Sequence, residues 1–334
     1  MSAEQNVAEQ VLELVGSDAE AEVTVNAGTS ALTRFANSFI HQNVGEEGAT
    51  VSLRLAVDGR VASGTTTNLD ADALDRFVAD TIEAARVQPV DPDWPGLVAP
   101  TAIPDLEHFD PAAADASPEL RAEQVKAFVD ADPDLSAAGY FETVGVKVAF
   151  ANSAGHRTAG RFSRAVLDGI QQTPTSSGSC HAAGVGPAAI DAATAGALAA
   201  QRARDGAGTF DTKPGEYEVV LAPECVATVA VFLSVYGFNA KAALEGQSFV
   251  RVGEAQFDSS ITLVDDVIDQ RALGIAFDSE GTPKQRLKLI DGGVTSSLAH
   301  DRRTARKAGT VSTGHATAGS DVWGPIAHTL FLEE

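Results

Sequence analysis

The run "ATVSLRLAVDGRVASGTT" (residues 49–66) constrains the fold more than any other stretch of this chain. Val51, Leu53 and Leu55 alternate with Ser52 and Arg54. That is the period of a strand with one face buried and one face polar. Asp58-Gly59 interrupts the pattern, and Asp-Gly between two β-rich runs is the signature of a tight hairpin turn. Residues 49–66 therefore read as two antiparallel strands, which need a larger sheet and something to cover its apolar face.

The flanking segments supply both. Residues 4–16 place Val7, Val11, Leu12 and Val15 at helical spacing, closed by Gly16. "AEVTVNAG" and "ALTRFANSFIHQN" read as extended runs. Residues 68–87 read as a helix capped by Asn68 or Asp70, with Leu74, Phe77, Val78 and Ile82 on one face. These make residues 1–88 an N-terminal α+β domain. The Pro-rich run 88–105 marks residues 89–116 as a linker or extended wrap.

Residues 117–212 read as a middle α+β domain. Ser117-Pro118 starts a helix, a second hairpin turns at Asn152–Gly155, and an Ala-rich helix ends at Gly206. "TPTSSGSCHAAGVG" between them reads as a loop. From residue 213 the pattern is β-rich. "EYEVVLAP", "SSITLVDDV", the run 274–301 and "TVSTGHA" are strand candidates, with a turn at Asp291-Gly292. Between them Pro223 and Glu224 open a helix whose stretch Cys225–Tyr236 is apolar all round, with Gly237 as its cap. Such a helix is expected to be fully buried. The expected fold is α+β: mixed α/β layers with antiparallel hairpins, then a β-rich C-terminal domain, residues 213–334, around one buried helix.

Acids outnumber bases 46 to 24, a formal charge of −22. Phosphate contacts need Lys and Arg, so nucleic acid and anionic lipid are excluded as partners. Solubility, or adaptation to a salty cytoplasm, accounts for the acidity, and a basic peptide stays compatible with it. No basic leader precedes an apolar run and no stretch reaches membrane-spanning length, so a cytoplasmic location is expected. The two cysteines, Cys180 and Cys225, form no disulfide framework, and Cys225 is expected in the core.

Motifs for chemistry are sparse. His41, His108, His156, His181, His300, His315 and His328 are isolated, with no HExxH or CxxC. No GxSxG elbow occurs. "GVGPAA" (residues 184–189) resembles a dinucleotide loop but does not follow an apolar strand. Asp265 and Asp266 are adjacent and expected on opposite faces of a strand. "FDSEGTPKQR" (residues 277–286) reads as a surface loop.

At "GIAFDSEGTPKQRLKLIDGGV" and "RKAGTVSTGHA" the chain resembles the TldD/PmbA family, subunits of a two-part bacterial zinc peptidase. "RFANSFIHQNVGEEGATVSLRLAVDGRVASGTTTN" and "KPGEYEVVLAP" extend the resemblance over most of the chain, and "FDSEGT" and "STGHA" look closer to the PmbA/TldE branch. The resemblance implies that the helix after "VVLAP" corresponds to one that carries HExxxH in TldD. Its three functional positions fall here on Val231, Phe232 and Tyr236, and its glycine on Gly237. The implied protein is a catalytically silent PmbA/TldE-like subunit, a pseudoenzyme in a hetero-oligomer, with no cofactor of its own. Zinc is expected in a TldD-like partner and the substrates are unfolded or modified peptides. The resemblance also leads one to expect more C-terminal sequence than this chain has. Asp266, Asp278, Ser279, Glu280, Gly281, Thr282, Thr313, Gly314 and His315 are the candidates to face a substrate chamber. Two alternatives stay open: a self-sufficient hydrolase using His181, Asp266 and His315, or a peptide-binding scaffold. A homodimer is compatible with any of them.

Overall fold

The computed structural model describes residues 1–333. Helix α1 (Ala3–Val15) leads into β1 (Glu20–Ala36), β2 (Phe39–Val57) and β3 (Arg60–Thr66), followed by α2 (Ala71–Arg86). After an extended segment come α3 (Pro111–Ala114), α4 (Pro118–Asp130), β4 (Ser136–Asn152), β5 (Arg157–Gln172), β6 (Ser177–Gly184) and α5 (Ala192–Asp205). The six strands form one antiparallel sheet in the order β3-β2-β1-β4-β5-β6. β1 pairs with β4 along most of its length, so residues 1–88 and 117–212 share one sheet.

Local chemistry explains the turns. Asp58 and Gly59 have φ of 48° and 73°, the two positive angles a type I′ hairpin needs. A second such turn sits at Asn37 (50°) and Ser38 (63°). It folds "ALTRFANSFIHQN", expected as one extended run, into the end of β1 and the start of β2. Ser38 makes that turn tenable, because its hydroxyl accepts the Ala137 N–H at 3.0 Å.

The sheet has two covered faces. On one, Val23, Val25, Val51, Leu53 and Leu55 pack on Val11, Leu12, Leu74 and Val78 of α1 and α2. Farther along the same face Phe35, Phe141 and Leu167 pack on Val125, Phe128 and Ala199 of α4 and α5. On the other, Val148 and Phe150 meet Val98 of the extended segment and Phe277 of the C-terminal unit. Period-2 alternation in β4 thus feeds two cores at once.

The C-terminal unit contains α6 (Pro223–Phe232), α7 (Ala240–Leu244), β7 (Thr262–Asp265), β8 (Leu287–Asp291), β9 (Val294–Thr295), α8 (Arg302–Ala308), α9 (Ser320–Trp323) and β10 (Leu330–Glu333). Its sheet runs β10-β7-β8-β9 over a core of Phe238, Leu263, Leu289, Ile290 and Ala327. β10 is paired along β7 and is not left without a neighbour. The α+β class with antiparallel sheets is as expected.

Several local expectations fail. α6 is a helix but not a buried one: it has no buried residue, and Cys225 is exposed. Its apolar composition states what the helix needs covered, not that this chain covers it. "EYEVVLAP" is not a strand, and Val220 is fully exposed. "SGSCHAAG" is strand β6, because pairing with β5 outweighs its turn-like composition. It runs into "GVGPAA", where a Cβ on Gly186 would fall 1.7 Å from Asp110, so packing accounts for that glycine. "TVSTGHA" is irregular, with the Gly314 and Ala316 N–H groups given to the side chains of Ser312 and Asp278 instead of a ladder.

Candidate functional site

Of the expected surface loop 277–286 only Gln285 and Arg286 are exposed, and its "FDSEGT" part is buried apart from half-buried Ser279. Asp278 organises it. One carboxylate oxygen accepts the N–H groups of Glu280 and Thr282, both at 2.9 Å, and the other accepts the Ala316 N–H at 2.9 Å. Burial and the nearby Glu280 charge push the Asp278 carboxyl up from its usual range, against the pull of those three donors. An Asp is required because a shorter or neutral side chain cannot serve two turns at once.

Gly281 follows with φ 73° and lies against the Phe150 ring of β4, where a Cβ would be 2.4 Å from ring carbon. Its carbonyl oxygen meets His156 Nε2 at 3.0 Å. A carbonyl only accepts, so Nε2 carries the proton. Burial lowers the His156 pKa and favours this neutral form.

Glu280 reaches the sheet. Arg54 of β2 donates to it at 2.8 Å, and its other oxygen accepts the Arg302 N–H at 2.9 Å. Arg54 also donates to Glu22 of β1 at 2.6 Å and lies 5.2 Å over the Trp94 ring. Burial alone would lower the Arg54 pKa, but Glu22 and Glu280 outweigh it and raise it. Burial raises Glu22 to about 7 in spite of Arg54, and its Oε2 has no hydrogen-bond partner among the described residues.

"STGHA" holds a second buried set. His315 Nε2 is 3.1 Å from Asp265, and His315 Nδ1 is 2.8 Å from the Thr313 hydroxyl. Burial would raise the Asp265 pKa, but hydrogen bonds from His315 and the Thr329 N–H lower it. Hydroxyl, imidazole and carboxylate in a row resemble a hydrolytic relay. The Thr313 hydroxyl is however committed to His300, accepting its N–H at 2.8 Å and lying 3.1 Å from its carbonyl. His315 is 2% exposed. The row fixes the segment's path, with Gly314 (φ 76°) pressed against the Pro283 carbonyl.

These loops wall a cleft of about 400 Å³ between the sheet and the C-terminal unit. Glu22, Thr24, Ser52 and Arg54 line it from the sheet, and Ser279, Glu280 and residues 316–321 from the other side. Of the expected chamber residues, Ser279 and Glu280 line it, whereas Asp278, Gly281, Thr282, Thr313, Gly314 and His315 do not. Asp266 takes other partners: it accepts the Ile268 N–H at 3.0 Å and lies 3.7 Å from Arg286. His181 pairs across strands with Asp168 at 3.1 Å. The trio His181, Asp266 and His315 is therefore not assembled. Glu22, Arg54 and Trp94 belong to the site and carry no motif. The one trace that Glu22 and Arg54 leave in the sequence is their polar phase in the alternation of β1 and β2, and Trp94 lies outside both strands.

Val231, Phe232 and Tyr236 lie along α6 and the π-type turn after it (Leu233–Gly237) and are 56%, 59% and 62% exposed. Phe232 and Tyr236 stack at 6.0 Å. Val and Phe have no donor atom for a metal, so the residues here do not fit a zinc site. Among the described residues, no three His, Cys, Asp or Glu side chains gather as a metal site would require.

The PmbA/TldA metallopeptidase C-terminal domain matches residues 214–334, and PmbA/TldA metallopeptidase domain 1 matches residues 21–85. Together they cover more than half of the chain. The chain belongs to the PmbA/TldD family. A metalloprotease of Archaeoglobus fulgidus is 28% identical over 110 residues, 32% of this chain and 26% of that protein. The matched stretches span only about a quarter of the curated relatives' length. TldE from Thermococcus kodakarensis has the same fold, with TM-score 0.83 at 18% identity over 100% of this chain and 78% of that one. So has a Bacteroides thetaiotaomicron protein carrying a gyrase-modulator label, with TM-score 0.85 at 19% identity over 100% and 78%. For this PmbA/TldD-family chain the two family matches border the cleft from opposite sides: residues 21–85 bring Glu22 and Arg54, residues 214–334 bring Glu280.

Proposed function

We infer that this chain is a TldE-like, catalytically silent subunit that acts with a TldD-like zinc peptidase subunit on peptides. The observation that carries this reading is the chemistry of Val231, Phe232 and Tyr236 on exposed α6. Where the resemblance puts zinc ligands and a general base, the chain has side chains that can only pack. From Cys225 to Ala240 no residue is charged, on a chain of net charge −22. A large exposed apolar surface of this kind marks an association site. The natural occupant is a related subunit that supplies the metal, while this chain contributes one wall of the shared chamber.

The test is co-expression with the TldD-like protein of the same genome. A stable complex whose peptidase activity exceeds that of the partner alone supports the reading. Full activity of the partner alone, without co-elution, rejects it. No described helix is long and apolar enough to cross a membrane, and we place both subunits in the cytoplasm as part of the same reading.

A further inference from the structure

The cleft between the sheet and the C-terminal unit contains an imbalance that the proposed partnership does not use. Among the described residues Arg54 is its one lining cation, and it is already engaged by Glu22, Glu280 and the Trp94 ring. Glu280 has both oxygens engaged, by Arg54 and the Arg302 N–H. Glu22 does not. It is 5% exposed, it lines the cleft, and its Oε2 has no partner. A buried carboxylate oxygen without a donor is costly, and a second cation beside it removes that cost. The wall also supplies neutral hydroxyls, those of Thr24, Ser52, Ser63 and Thr65, and Asp321 adds a carboxylate from the side of the C-terminal unit. A free carboxylate oxygen in a cleft that also presents hydroxyls suits a compact, three-donor ammonium better than a planar guanidinium.

We propose that this cleft is a subsite for a primary ammonium group, in particular the side chain of a lysine in an extended peptide, held by Glu22. The subsite rests on the reading of the chain as a peptide-handling subunit and narrows its substrates to peptides with a lysine. The cleft, about 400 Å³, has room for such a side chain. Binding also depends on pH. The groups that face Glu22 are Arg54 from β2, Glu280 from the "FDSEGT" loop, Arg302 from α8 and Asp321 from α9. The ammonium needs ionised Glu22, so binding strengthens as pH rises past neutrality.

The experiment is calorimetric titration of this chain alone with N-acetylated, C-amidated Ala-Ala-Lys-Ala-Ala and with its norleucine counterpart. Using the chain alone keeps a failure here distinct from a failure of the partnership. The lysine peptide is expected to bind at least ten-fold more tightly at pH 8 than the norleucine peptide, with the difference shrinking at pH 6. Glu22→Gln abolishes the preference. So does Ser63→Lys, which puts a competing ammonium on the exposed rim of the cleft and leaves the core untouched. An arginine peptide that matches the lysine peptide overturns the ammonium assignment. Equal affinity for the lysine and norleucine peptides, no binding of either, or a lysine preference that survives both substitutions overturns the subsite.

Discussion

Gly281 of the C-terminal unit rests on the ring of Phe150 in the sheet, so close that a single methyl group could not be added between them. This contact, with the Gly281–His156 hydrogen bond and the Glu280–Arg54 ion pair, makes "FDSEGT" the latch between the two halves of the molecule. Gly281→Ala is expected to destabilise the chain by roughly 3 kcal/mol: about 1–2 kcal/mol for an L-residue at positive φ, the rest from overpacking. The combination with Phe150→Ala should be clearly less than additive, since removing the ring removes the clash. Urea denaturation of the two single variants and the double variant measures this. Strict additivity would mean that the two residues do not touch.

Arg54 stands between two buried acids. Arg54→Met leaves Glu22 and Glu280 without their cation and should cost roughly 3–5 kcal/mol. The triple variant Arg54→Met, Glu22→Gln, Glu280→Gln removes the charges together and should recover most of that loss. Chemical denaturation of wild type, the single variant and the triple variant is the measurement.

Glu22 gives the latch a pH dependence of known sign. Its carboxyl is raised from 4.5 to about 7 by burial, so the folded state holds its proton more tightly than the unfolded state does. Its contribution to stability is complete below pH 4.5 and is lost as pH rises through about 7. The loss is on the order of 3 kcal/mol. Glu22→Gln should remove this component, so that the variant's stability relative to wild type rises between pH 5 and about 8. Parallel melting curves of wild type and variant across that range would contradict it.

The exposed face of α6 predicts the opposite of a core. Replacing Val231, Phe232 and Tyr236 by Ser should change the stability of the isolated chain by no more than about 0.5 kcal/mol each. The same changes should abolish association with the partner subunit. Thermal melts and co-elution read the two effects separately. A loss of several kcal/mol from each substitution would mean that the helix is buried after all.

What the sequence makes legible follows from how local each determinant is. The Asp58-Gly59 turn, the Ser117-Pro118 helix start and the Ala-rich α5 are written in a few adjacent residues, and each forms as expected. "SGSCHAAG" carries no strand signal of its own and becomes β6 only because β5 is beside it. The latch is illegible for the same reason: Glu280 and Arg54 are 226 residues apart, and nothing near either announces the other. α6 shows the complementary limit. Its sequence declares an apolar helix, but the surface that covers it lies on another molecule in this account. The family resemblance implies where a TldD-type zinc motif would fall, at Val231, Phe232 and Tyr236. It does not identify Glu22, whose role depends on the cleft that the two halves enclose.

The central claim is that the chain works through a partner that kept the metal-binding helix. The most direct measurement is size-exclusion chromatography of this chain mixed with the TldD-like protein of its genome, with peptidase activity assayed across the fractions. Both chains are expected to co-elute as one species that carries the activity, and Phe232→Ser is expected to abolish both. Two separate peaks, with full activity in the partner's peak alone, would contradict it.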